Sequence, residues 1–267
     1  MRRRGLNSLA RFSANLGFLW TDLLLVEAIH AAKAAGFHAV ECHWPYDVPA
    51  GSVARALGEA SLPMLGLNTA PGDLSKSEFG LAALPDRREE ARAAIDQAIA
   101  YGAEIRTQAV HVMAGVTNAD TAHDVYVDNL RYACRMAEPY DITILIEPLN
   151  QHDVPGYFLA DTKQASDVIT EIAVPNLKLL FDCYHVGSTE GDIENRFREL
   201  QPLIGHVQFA SIPDRGPPND GQIDFPSFFA MLDNLGWSRP LGAEYRPVGA
   251  TDASLGWLAD PRFGASR

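Results

Sequence analysis

Thr143-Ile-Leu-Ile-Glu-Pro-Leu-Asn150 decides how the chain is read. Residues 144–146 form an apolar run with no polar alternation, the appearance of a strand buried on both faces of a parallel sheet. The run stops on a carboxylate, Glu147, and Pro148 closes it, because proline cannot donate to a sheet ladder. A carboxylate there is either a solvated strand end or a charge held by a partner. The pattern then recurs. Leu179-Leu-Phe-Asp182 ends on Asp182, His206-Val-Gln208 on Gln208 and Leu241-Gly-Ala-Glu244 on Glu244. Oxygen-bearing side chains thus stand at the ends of four successive apolar runs.

Working outward, strands are expected over residues 11–16, 39–44, 64–68, 109–113, 143–147, 177–182, 205–209 and 241–245. Helical spacing places helices over 23–35, 53–60, 86–101, 124–137, 161–172, 193–200 and 226–235, with a closing turn over 253–258. Asp22 is the expected cap of the first helix, and Gly36 and Gly102 the expected stops of the first and third. Residues 69–85 form a long loop, and long loops in compact domains tend to be functional. Strands and helices alternate strictly, in units spaced about thirty residues apart. No Pro/Gly/Ser linker divides them, so the reading is one α/β domain, a (β/α)8 TIM barrel over 11–260, with an extension over 1–10 and a tail over 261–267. A doubly wound open sheet is the runner-up, but it needs a phosphate-binding glycine loop after a strand, and the sequence has none.

Composition narrows the function. A net charge of −12 provides no basic field for nucleic acid or an anionic membrane surface. The three cysteines, Cys42, Cys134 and Cys183, lack the spacing of a thiolate metal site or a disulfide framework, which fits a reducing cytoplasm. The basic start, Met1-Arg-Arg-Arg-Gly5, has no apolar stretch behind it to make a secretory signal. The longest apolar stretch, near 23–29, is broken by Glu27 and too short to span a bilayer. The expected partner is a small molecule, and a homo-oligomer is compatible with the sequence.

In a (β/α)8 barrel the working face is the carboxyl end of the strands, where Glu147, Asp182, Gln208 and Glu244 would all stand. Their oxygens suit a hard divalent cation, Mg²⁺ or Mn²⁺. His185, in Phe181-Asp-Cys-Tyr-His185, would reach over the same mouth. Arg215 and Arg246 offer cations to a substrate carboxylate or polyol. Asn68, ending the third strand, and Glu41, in Val40-Glu-Cys-His-Trp44, complete the candidate substrate set, Glu41 also fitting an acceptor that orients its neighbours. Each residue taken singly has an ordinary structural explanation. The four strand-end groups together do not.

The chain resembles the hydroxypyruvate isomerases, within the xylose-isomerase-like barrels. The resemblance runs from residue 11 to 258 and is carried by Arg11-Phe-Ser-Ala-Asn-Leu16, Pro45-Tyr-Asp47, Asn129-Leu-Arg-Tyr-Ala133, Ile146-Glu-Pro-Leu-Asn150, Pro155-Gly-Tyr157, Asp182-Cys-Tyr-His185 and Gly242-Ala-Glu-Tyr245. It implies a metal held by Glu147, Asp182, Gln208 and Glu244, with Glu147 and Glu244 as the catalytic acid–base pair. It also implies interconversion of hydroxypyruvate and tartronate semialdehyde, or of related sugar acids or ketoses. The chemistry of the residues agrees: chelation of an α-hydroxycarbonyl acidifies its carbon-bound proton, and two carboxylates can move that proton between neighbouring carbons. The chain departs from the family where Ser77-Glu-Phe-Gly80 stands in place of Gly-Glu-Arg-Gly, putting Phe79 where an arginine is usual, and where Arg246 replaces a lysine. A substrate less anionic than hydroxypyruvate is therefore open. So are a metal-dependent ketose 3-epimerase and a non-catalytic sugar-acid binding protein. A zinc apurinic endonuclease needs a basic groove and a histidine-rich multi-metal site, which the charge argues against.

Overall fold

Period-2 alternation sorts each apolar run between two cores. Along β5 (Thr143–Ile146), Ile144 and Ile146 join the main core under the helices, while Leu145 joins Ala109 and Leu180 in a separate small cluster. The same alternation turns Glu147, one residue further on, towards the barrel axis. It does so again on β6 (Leu177–Asp182), where Leu180 and Asp182 face inward and Phe181 outward, and on β7 (Ile204–Phe209), where Val207 and Phe209 join the outer core.

These residues belong to a computed structural model that describes residues 10–263. The expected amino-terminal extension lies outside the described residues apart from Ala10, as do residues 264–267 of the expected tail. The remaining strands are β1 (Phe12–Asn15), β2 (Ala39–Glu41), β3 (Leu67–Asn68), β4 (Ala109–His111) and β8 (Leu241–Ala243). All pairings are parallel, in the order β2-β1-β8-β7-β6-β5-β4-β3. A parallel bridge from Val40 to Met64 joins the two ends, with Leu65 N donating to Val40 O at 2.8 Å and Cys42 N to Gly66 O at 3.1 Å. The sheet is thereby the eight-stranded barrel expected from sequence.

The helices are α1 (Leu25–Ala34), α2 (Ala50–Ala60), α3 (Arg88–Ile105), α4 (Ala122–Ala137), α5 (Thr162–Ile172), α6 (Cys183–Thr189), α7 (Ile193–Leu200) and α8 (Phe225–Asn234). Three local expectations change. Helix α1 starts after Leu24, whose N–H is taken by the Glu27 side chain at 3.2 Å, so Asp22 is not its cap. Helix α3 runs through Gly102 and stops at Arg106, which takes the left-handed conformation (φ 56°). A Cβ at Gly102 would come within 2.7 Å of Thr107 Cγ2, so that glycine serves packing and not termination. The closing turn is a longer 3-10 segment, Thr251–Ala259, that buries Trp257 edge-on to Phe12 and Phe209. Phe263, within the expected tail, packs on Trp257 and Phe229. No helix among the described residues is long and apolar enough to cross a membrane.

Candidate active site

The carboxyl ends of the strands surround a cavity of about 270 Å³ lined by Glu147, His185, Arg215, Glu244, His111 and Phe79, with Asn68, Trp44 and Arg246 on its wall. Larger cavities lie elsewhere, among them one at the opposite mouth of the barrel near Arg106 and Arg239, one near Arg131 and Asn176 and one near Asp192 and Asp224. None of these three holds a strand-end carboxylate.

Asp182 ends β6 and caps α6: its Oδ1 accepts from Tyr184 N at 2.9 Å. The helix that follows is short and is not among those expected from sequence, yet it places His185 one turn above Asp182, with Nε2 3.6 Å from Asp182 Oδ2. His185 Nδ1 accepts the backbone N–H of Asn150 at 3.1 Å, so in the neutral ring the hydrogen sits on Nε2 and that nitrogen is a donor. Glu244, after β8, accepts from Asn15 Nδ2 at 2.7 Å, His43 Nε2 at 3.2 Å and Gln208 Nε2 at 3.2 Å, and pairs closely with Arg215. Arg215 also reaches Asp182 Oδ2 at 3.4 Å, and its guanidinium is sandwiched between the rings of Phe18 and Tyr184 at 4.7 and 4.9 Å. It adopts φ 53°, an uncommon conformation for a branched-free long side chain, held here where Arg246 N donates to Arg215 O at 2.7 Å.

Three carboxylates and one guanidinium therefore share a buried space, and their proton affinities separate. Burial pushes the Glu147 carboxyl well above the usual carboxylate range, and Glu244 and Asp182 push it further. Burial also raises Asp182, to about 7, against the pull of Arg215. Glu244 goes the other way: burial would raise it, but Arg215 and the His43 bond draw it down to about 2. Burial keeps His185 well below the usual imidazole range and His111 at about 4, so both rings are neutral at pH 7.

Among the described residues, eight buried side-chain polar atoms lack a hydrogen-bond partner, and seven belong to this region: Trp44 Nε1, both ring nitrogens of His111, Glu147 Oε1, Asp153 Oδ2, Gln208 Oε1 and Arg215 Nε. Such atoms are costly when buried and rare in folded proteins. Their concentration at one strand-end cluster marks a place built for a polar ligand. Glu147, Asp182 and His185 can also bring one ligand atom each within 4.8 Å of one another, so this buried cluster could hold a metal ion.

The family model for xylose isomerase-like TIM barrels matches residues 29–260. A 2-oxo-tetronate isomerase of Cupriavidus necator is 38% identical over 93% of this chain and 97% of its own length. The hydroxypyruvate isomerase of Escherichia coli K12 is 35% identical over 94% of this chain and 98% of its own. The chain belongs to the hydroxypyruvate isomerase family of xylose isomerase-like barrels. Its named relatives mark it as an isomerase. Among solved structures, a Brucella melitensis protein described as an AP endonuclease, family 2, superposes with a TM-score of 0.91 at 33% identity, covering 94% of this chain and 98% of that one. An L-ribulose 3-epimerase gives 0.75 at 20% identity, covering 93% and 86%, and shares the fold.

The structure places the sequence candidates as follows. Glu147, His185, Arg215 and Glu244 line the cavity, Asp182 lies directly behind His185, and Asn68, Phe79 and Arg246 line it further out. Gln208 stands at the adjoining end of β7. Glu41 is not on the cavity wall but inside the barrel, where its carboxylate binds Ser13, His206 and Gln208. Sequence reasoning passed over Asn15, His43 and His111. Asn15 and His111 were in fact signalled by polar residues ending short apolar runs, Phe12–Asn15 and Ala109–His111.

Proposed function

We propose that the chain is a divalent-metal-dependent isomerase of three- or four-carbon α-hydroxycarbonyl acids, hydroxypyruvate and 2-oxo-tetronate being the types that its relatives' names suggest. The observation that carries this is the pair Glu147 and Glu244, two buried carboxylates of opposite proton affinity beside one small cavity. Such a pair suits a reaction in which one carboxylate takes a proton from one carbon and another returns a proton to the next.

The residues fit a hard cation. Glu147 Oε1 and Gln208 Oε1 are buried acceptors without donors, beside Asp182. The His185 Nε2 hydrogen makes that ring a substrate donor in this reading, so the ligands are Glu147, Asp182, Gln208 and Glu244, all oxygen. A Mg²⁺ or Mn²⁺ ion bound there would supply Lewis acidity, stabilising the negative charge that grows on the substrate oxygens as the carbon-bound proton leaves. The chain's own groups do the rest. Arg215 is already committed to Glu244 and Asp182, and orients the first of these while offering its remaining N–H groups to the substrate. Arg246 lies over Phe18 at the rim, with no carboxylate partner among the described residues, and is placed to take the substrate carboxylate. His185 holds a substrate oxygen through Nε2. Phe79, Met113 and Leu149 exclude water from the far wall.

The test is a panel of hydroxypyruvate, 2-oxo-tetronate and ketoses assayed in deuterated water, with and without added Mn²⁺ or Mg²⁺. Metal-dependent formation of an isomer from an acid substrate supports the reading. Turnover confined to ketoses, with configuration changed at one carbon, makes it an epimerase. Full activity after exhaustive chelation, with no metal by elemental analysis, removes the metal.

A further inference from the structure

We infer that Glu41 is a positioning residue: its carboxylate, held from within the barrel, fixes the Gln208 side-chain amide so that the carbonyl oxygen is left for the cation. The inference rests on the metal reading above and extends it to a residue that touches neither cation nor substrate.

Glu41 ends β2 and is almost fully buried at the barrel axis. Its Oε1 accepts from Ser13 Oγ at 2.6 Å, and its Oε2 lies 2.6 Å from Gln208 Nε2 and 3.0 Å from His206 Nε2. Four consecutive strands of the barrel, β2, β1, β8 and β7, thus contribute to one contact. The β8 contribution is an absence. A Cβ at Gly242 would fall on the Glu41 carboxylate and come within 2.8 Å of Gln208 Cγ, so only glycine lets the two side chains meet there. A buried carboxylate costs several kcal/mol in desolvation even when paired, and an apolar set of similar volume would fill the same space more stably. The neighbouring interior layer, Ala109, Leu145 and Leu180, is indeed apolar. The charge therefore needs a reason.

Gln208 supplies it. Side-chain amides turn over easily, and either end can face a ligand site. Here the –NH₂ group lies between two carboxylates, Glu41 Oε2 at 2.6 Å and Glu244 Oε1 at 3.2 Å, both acceptors only. Reversing the amide would set its oxygen against both. The –NH₂ end is thereby locked, and Oε1, which has no donor, is the free end. A glutamate at 208 would repel both neighbours, whereas the amide donates to them and still presents an oxygen. Groups of this kind behind a metal ligand are typically worth about 10–100-fold in metal affinity.

The experiment is a double-mutant cycle on the full chain, read by calorimetric titration with Mn²⁺ alone and with circular dichroism to verify folding. Glu41→Gln should weaken Mn²⁺ binding about 10–100-fold in the wild-type background, and less than about two-fold when Gln208→Ala is already present, because the group it acts through is gone. Equal losses in both backgrounds, or no loss in either, overturn the inference. If Glu41→Gln does not fold, Glu41→Asp keeps the charge but shortens its reach to Gln208, and the same cycle applies with the same outcomes. If Gln208→Ala binds Mn²⁺ like wild type, Gln208 is no ligand and the inference falls while a Glu147–Asp182 centre survives. If wild type binds no Mn²⁺, the metal reading falls and takes the inference with it.

Discussion

Replacing Arg215 by Met removes the one guanidinium among three buried carboxylates while keeping an unbranched side chain between Phe18 and Tyr184. The magnitude follows from Glu244, whose proton affinity drops from an ordinary 4.5 to about 2, chiefly through Arg215. That drop corresponds to about 3 kcal/mol favouring the ionised folded state. Arg215 is only 8% exposed, so solvent screening removes little of it. Breaking a buried ion pair from one side typically costs about 3–5 kcal/mol, which agrees. The sign with pH is fixed by the direction of the shift. A depressed carboxylate stabilises fully above its ordinary value of 4.5 and loses that stabilisation as pH falls through about 2. Asp182 and Glu147 are raised, so on acidification they take up protons and relieve their own repulsion. Arg215→Met should therefore lose about 3 kcal/mol at pH 7 in denaturant unfolding without metal, less at pH 4, and recover part of it when Mn²⁺ replaces the missing charge. A loss under about 1 kcal/mol at pH 7, within the range of an exposed pair, or a deficit that grows as pH falls, would refute the reasoning.

Two further outcomes follow from the same site. Because Asp182 holds its proton up to about 7 and Glu147 beyond the usual range, protons compete with a cation: log affinity for Mn²⁺ should fall by about one per pH unit below 7, or faster, and a flat calorimetric profile between pH 5 and 8 would contradict this. Phe79→Arg should improve the use of hydroxypyruvate relative to ketoses, since it puts a cation on the cavity wall, and unchanged kcat/KM ratios across the substrate panel would show that this loop does not set preference.

How much of this was legible in the sequence depended on the range of the signal. The strand-end residues Glu147, Asp182, Gln208 and Glu244 could be read because strands of a parallel barrel are apolar on both faces, so an oxygen-bearing residue closing such a run stands out, and it stands at the carboxyl-end face. Glu41 was legible as an acceptor that orients its neighbours but not as to which neighbours, since Ser13, His206 and Gln208 are 28, 165 and 167 residues away. The short helix α6 was missed because its start, Asp182, reads equally as a strand end and as a cap, and it is both. Gly102 misled for a related reason. Glycine ends helices, but it also lets chains approach closely, and only the position of Thr107 tells the two apart. His43 lacked a local pattern, and contact with Glu244 reveals it; His111 ends an apolar run as the others do, and its place beside Glu147, Nδ1 lying 3.5 Å from Glu147 Oε2, shows that it belongs to the site.

The central claim is that Glu147 and Glu244 both move the substrate proton, and solvent-deuterium incorporation by Glu147→Gln and Glu244→Gln tests it most directly. Each variant keeps size and one oxygen but loses the base, which typically costs about 10²–10⁴-fold in rate. With saturating Mn²⁺, both folded variants are predicted to form almost no product, while one of them still exchanges the substrate's carbon-bound proton with solvent, identifying the residue that faces that carbon. Turnover above about a tenth of wild type in either variant, outside the range of a lost acid–base group, would contradict the paired-glutamate account.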